Sequence, residues 1–97
     1  MKEMYIYIMA NKDNTVLYTG VTNDLIRRVY QHREKMHKGF TSRYEVTKLV
    51  YYEILGDPYN AIVREKQIKG GSRADKMRLI QNFNSSFKDL YEEIYTV

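Results

Sequence analysis

Ninety-seven residues, 43% of them apolar and 29% charged, suffice for one compact domain and are too few for two, so residues 1–97 are read as a single unit. The absence of cysteine excludes disulfides, thiolate metal sites and thiol nucleophiles together. The early apolar stretch, residues 4–10, is too short to cross a bilayer, contains two tyrosines and lacks a small-residue cleavage pattern; the expected compartment is the cytoplasm, with no membrane partner.

The net charge of +4 is less informative than its distribution. Residues 24–48 carry seven basic and three acidic side chains, and residues 64–78 carry six and two, whereas the rest of the chain holds three basic against seven acidic. If the fold joins the two blocks, they form a positive face backed by an acidic one, as expected of a polyanion binder. Two solvated helix surfaces with no partner would leave the same pattern.

Tyr5-Ile6-Tyr7-Ile8-Met9 is a β-branched and aromatic run, and Val16-Leu17-Tyr18-Thr19-Gly20-Val21 is a second. The polar Asn11-Lys12-Asp13-Asn14 between them makes the pair a hairpin. Thr22, Asn23 and Asp24 supply cap chemistry for a helix of about a dozen residues ending near Lys38-Gly39. A third strand is expected over residues 48–53. Asp57-Pro58 then caps and opens a second helix that runs to about Lys69 and stops at Gly70-Gly71-Ser72. A shorter helix is expected over residues 74–82 and a last one over about 86–95, with Phe87, Leu90, Tyr91 and Ile94 on one stripe. Thr96-Val97 reads as a frayed end. The order implies an α+β fold: a small three-stranded sheet flanked by helices, its first pair antiparallel.

Two helices carry polar residues on apolar faces. At about 100° per residue, Leu25, Ile26, Val29, Tyr30 and Met36 share one arc. Arg28 and His32, four residues apart, fall on its border, while Arg27 faces solvent. Either the pair covers apolar surface by snorkelling, or it lines a site. In the second helix Glu65 falls inside the arc of Ala61, Ile62 and Ile68. A buried carboxylate needs a partner, so Glu65 is either salt-bridged to Arg28 or another basic residue, or a divalent-metal ligand beside a cleft. One carboxylate with waters and substrate phosphate is sufficient for Mg²⁺. His37 is turned about 140° from His32, so no paired zinc face is expected. Gly70-Gly71 lacks the spacing of a phosphate-cradling loop.

Tyr5-Ile6-Tyr7, ten residues, Tyr18-Thr19-Gly20, then Arg28, His32 and Glu65 resemble the GIY-YIG nuclease superfamily, in particular its short single-domain bacterial members. Gly39-Phe40-Thr41, the strand Leu49-Val50-Tyr51-Tyr52-Glu53, Arg64-Glu65, Gln67-Ile68-Lys69-Gly70 and Leu79-Ile80 leading to Asn84 extend the likeness over nearly the whole chain. Tyr5 stands at the signature's first glycine and Thr19 inside the second tripeptide, and Gly71 stands where short members usually have tryptophan.

The resemblance implies a three-stranded antiparallel sheet flanked by helices, and metal-assisted hydrolysis of DNA phosphodiesters with Mg²⁺ or Mn²⁺, in repair or recombination. By motif match, Tyr18 is the general base with Tyr7 as helper or alternative. Arg28 contacts the scissile phosphate, His32 assists proton transfer or phosphate contact, Glu65 ligates the metal and Asn84 positions the phosphate. Gly20, without a Cβ, admits backbone or substrate beside Tyr18, or marks a strand-end bulge. A tyrosine with the ordinary pKa near 10 works as a base only where positive charge favours the phenolate, which Arg28 and a metal ion would provide. No separate DNA-targeting segment is expected, so sequence specificity would require self-association or an accessory targeting protein. The competing reading is a non-catalytic nucleic-acid-binding module on the same fold.

Overall fold

The structure, a computed structural model, describes residues 3–36 and 38–95. Strand β1 (Met4–Ala10) turns back into β2 (Leu17–Thr22), and the two pair antiparallel with Tyr7 opposite Gly20 and Met9 opposite Tyr18. Asn11 shapes the connecting loop: its Oδ1 accepts the Thr15 and Val16 amides at 2.8 and 3.0 Å, and Asn14 takes the left-handed conformation, φ 59°, that asparagine tolerates. Strand β3 (Lys48–Leu55) pairs antiparallel with the other edge of β1, so the sheet order is β2-β1-β3. The expected three-stranded antiparallel sheet is present.

Five helices complete the described chain, and three of them start at side-chain caps. Helix α1 (Leu25–Arg33) starts at Asp24, whose side chain accepts the Arg27 amide. After α2 (Phe40–Arg43) and β3, α3 (Pro58–Gly70) starts at Asp57 with proline in its first turn, and α4 (Arg73–Phe83) starts in a reciprocal Ser72/Asp75 capping box. A last helix, α5, spans Tyr91–Tyr95.

Central β1 is buried on both faces, and its alternation divides the core in two. Ile6, Ile8 and Ala10 pack with Val50 of β3, Ala61 and Ile68 of α3 and Ile80 of α4. Tyr7 and Met9 point the other way and pack with Leu25 and Val29 of α1, Val46, Leu49 and Leu90. Helix α1 and the α3/α4 pair therefore cover opposite faces of the sheet. Each fully buried aliphatic side chain contributes roughly 1.5–3 kcal/mol relative to exposure.

Several expectations are corrected. Helix α1 stops at Arg33 and not near Lys38, because Lys35 adopts φ 53° and a Schellman closure forms: the Lys35 amide donates to the His32 carbonyl and the Met36 amide to that of Gln31, at 3.1 and 2.9 Å. Met36, beyond this end, is exposed, as are Ile26, Tyr30 and Ile62. Helix α2 was not expected; it closes in the same way, with Glu45 at φ 56° and the Val46 amide donating to the Thr41 carbonyl at 2.8 Å. The last helix begins at Tyr91 and not near Ser86. Phe87, at φ 54°, packs on the opposite core from Leu90, Tyr91 and Ile94, so these four do not form one stripe. Thr96-Val97 and His37 lie outside the described residues.

Candidate active site

The hairpin register creates the site. Tyr7 points to the α1 side of the sheet directly opposite Gly20, and its ring occupies the space a side chain there would need. A Cβ on Gly20 would stand 2.5 Å from both Cζ and the hydroxyl oxygen of Tyr7, closer than real Cβ contacts. Gly20 is thus required by the Tyr7 ring, which corrects the expectation that it admits substrate.

Beyond Gly20 the Tyr7 hydroxyl lies 3.1 Å from His32 Nε2, and the other ring nitrogen, Nδ1, lies 3.1 Å from Thr41 Oγ1. All three residues are buried. Burial, foremost, then the neighbouring Tyr18 and, least, Glu65 raise the pKa of Tyr7, while the positive charge of the nearby Arg28 guanidinium opposes them. The phenol is held protonated. It can therefore donate to Nε2, and Nδ1–H then donates to Thr41, a chain that fixes the ring orientation of His32.

Tyr18, Arg28, His32, Lys38, Phe40 and Thr41 line an open pocket of about 260 Å³. Tyr18 is half-buried on its wall, with its ring centroid 5.5 Å from that of His32 and 6.4 Å from that of Tyr7. Tyr7 itself is behind the wall, 1% exposed. The pocket thus presents one phenol, one guanidinium, one imidazole and one ammonium to a ligand, a set suited to an anion with a transferable proton nearby.

The structure brings Tyr7, Tyr18, Arg28 and His32 together. Glu65, on α3, is felt electrostatically by Tyr7, but it is not part of the pocket wall. Its side chain is 17% exposed and ion-paired to Lys69 at 3.2 Å, one of the two expected alternatives. Among the described residues no group of three or more Asp, Glu and His could form an all-protein metal cage. A single carboxylate nevertheless suffices for Mg²⁺, which keeps several waters and uses substrate phosphate as ligand.

Asn84 is corrected. It is buried, its Nδ2 donates to the carbonyls of Val50 and Lys88 at 3.1 and 2.8 Å, and its Oδ1 accepts the Lys88 amide at 3.3 Å. These bonds tie the end of α4 to β3, and Asn84 does not line the pocket. The two basic blocks are also not one continuous face: the helices that carry them, α1 and the α3/α4 pair, pack on opposite cores. Much of the second block is neutralised locally, Arg64 by Glu53, Lys69 by Glu65 and Arg78 by Asp75. Sequence reasoning gave no role to Thr41, Phe40 or Lys38. The Gly39-Phe40-Thr41 string was the available signal, but α2, which carries it to His32, was not foreseen.

The GIY-YIG catalytic domain family matches residues 3–79. A UPF0213 protein of Staphylococcus saprophyticus is 36% identical over 82% of this chain and 96% of its own. Another, of Clostridium perfringens, is 37% identical over 94% of this chain and 91% of its own. The solution NMR structure of a UPF0213 protein from Bacillus halodurans matches with a TM-score of 0.52 and 29% identity, covering 81% of this chain and 83% of that one. Among the described residues no helix is long and apolar enough to cross a membrane. With both tyrosines of the signature, Arg28 and His32 gathered at one pocket and a family match over most of its length, the chain belongs to the GIY-YIG catalytic domain family.

Proposed function

We propose that this protein is a cytoplasmic, metal-dependent endonuclease that hydrolyses DNA phosphodiester bonds as a single catalytic unit. The observation that carries this reading is the pocket itself, in which Tyr18 and Arg28 stand on the wall and His32 is held from behind by Tyr7 and Thr41. The scissile phosphate enters against Arg28, whose guanidinium stabilises the charge that grows on the phosphoryl oxygens as water attacks. Tyr18, the tyrosine that substrate can reach, would act as its phenolate, accepting the proton of the attacking water and becoming the neutral phenol, with the Arg28 guanidinium supplying the positive charge that favours the phenolate. Tyr7, kept protonated by its burial, serves as the donor that orients His32, and His32, held at both ring nitrogens by Tyr7 and Thr41, backs the pocket against the phosphate.

Glu65 is the residue that would hold Mg²⁺ or Mn²⁺, and the chemistry a bound ion supplies is charge neutralisation at a phosphoryl oxygen. Action on damaged or branched DNA in repair or recombination suits a chain whose own pocket contacts one phosphate and reads no base sequence. Sequence choice then comes from a second copy or a targeting partner. The test is cleavage of end-labelled DNA with and without a chelator: metal-dependent nicking supports the reading, and binding without cleavage on every substrate returns the protein to the class of binding modules.

A further inference from the structure

Two large rings beside the pocket have no packing role. Phe40 and Tyr44 are 49% and 46% exposed and belong to neither core cluster. Yet they form a continuous series with the pocket wall: Phe40 lines the pocket, its centroid is 6.4 Å from that of Tyr18, and Tyr44 follows at 4.9 Å. The Arg43 guanidinium stands 5.9 Å from the Tyr44 ring centre, and Lys38 stands on the pocket side of the same segment. The segment is pre-organised. Residues 38–45 are closed by the Schellman turn at Glu45, whose side chain is ion-paired with Lys35, and they are pinned from within by Thr41 against His32.

We infer that Phe40 and Tyr44 form a stacking platform for an unpaired base adjacent to the phosphate held in the pocket, so that the substrate is DNA with a single-stranded segment at the cut. This rests on the nuclease reading above. Alternating cationic and aromatic side chains along one strip match a single strand, in which phosphates meet the cations and bases lie on the rings. In duplex DNA the base next to the bound phosphate is already paired and stacked, and its face is closed to Phe40. A base in a flap, gap or free end pays no unpairing penalty to reach the ring.

The test uses short single-stranded oligonucleotides in which 2-aminopurine or an abasic residue is moved position by position, titrated into the wild-type protein and into Phe40→Ala and Phe40→Trp, with cleavage of the same sequences followed single-stranded and duplex. Quenching of 2-aminopurine at one position is expected. An abasic residue there should weaken binding roughly five- to hundredfold, Phe40→Ala should abolish both effects, and Phe40→Trp should retain them. The abasic series uses unaltered protein, so it remains decisive even if a variant folds poorly. Binding and cleavage that ignore the abasic residue, or equal cleavage of single-stranded and duplex DNA, would overturn the platform and leave the nuclease reading standing. Absence of binding to every DNA would overturn both.

Discussion

The ring of Tyr7 fills the space above Gly20, and its hydroxyl oxygen lies 2.5 Å from where a Cβ at residue 20 would be. Because that ring is also fixed by its bond to His32, it cannot swing aside without breaking the chain that orients the imidazole. Gly20→Ala is therefore expected to destabilise the protein by about 1–3 kcal/mol and to abolish any DNA cleavage. Urea denaturation checks the first effect; a variant as stable as the wild type would contradict the assigned packing.

Thr41 tests the same chain from its other end. Thr41→Val preserves shape and removes the acceptor of His32 Nδ1, leaving a buried ring nitrogen without that partner. A loss of about 1–3 kcal/mol is expected, together with a drop in the rate of cleavage at saturating DNA larger than any change in binding. Equal turnover in Thr41→Val and wild type would show that His32 orientation does not matter to the reaction.

For Asn84 the structure predicts a purely structural phenotype. Asn84→Ala removes two donated bonds and one accepted bond that tie α4 and residue 88 to β3, and the vacated carbonyls are buried or partly so. Stability should fall by about 2 kcal/mol or more, while DNA affinity per folded molecule, measured at a temperature where the variant is native, should not change. A selective loss of DNA affinity would restore the phosphate-positioning role.

Two buried tyrosines make the fold sensitive to alkali. Burial and the bond to Glu53 push Tyr51 up to about 12, and burial raises Tyr7 as well, whereas unfolded tyrosine titrates near 10. The folded state thus binds these protons more tightly, so their contribution is complete below about pH 10 and is lost as pH rises toward the folded values. Tyr51 alone accounts for a decline on the order of 2 kcal/mol. Denaturation curves across that interval should fall less steeply for Tyr51→Phe than for the wild type; parallel curves would contradict the assignment.

Much of this architecture is legible in the sequence because local chemistry and tertiary packing agree. Asp57-Pro58 marks the start of α3, the strand runs at Tyr7 and Tyr18 mark the hairpin, and Arg28 and His32 stand out as polar residues at the border of an apolar face. What escapes has specific physical causes. The end of α1 is hidden because the left-handed position is taken by Lys35, where glycine would have announced it. Helix α2 is four residues long, too short for a periodic signal. The inward arc drawn for Ile26, Tyr30 and Ile62 is too wide because α1 and α3 each lie on one face of a small sheet and bury a narrow stripe. Asn84 reads as a functional amide in sequence, and its engagement with β3 depends on a contact between residues 34 positions apart.

The central claim is that the pocket walled by Tyr18 and Arg28, together with Glu65 of α3, hydrolyses DNA. The most direct measurement is cleavage of end-labelled single-stranded, duplex, nicked, flap and branched DNA in Mg²⁺ or Mn²⁺ by the wild type, Tyr18→Phe and Glu65→Ala, each first shown to be folded by circular dichroism. Metal-dependent cleavage by the wild type, reduced roughly 10²–10⁴-fold in Tyr18→Phe and abolished in Glu65→Ala, is the expected result. Cleavage that survives both substitutions would contradict the account.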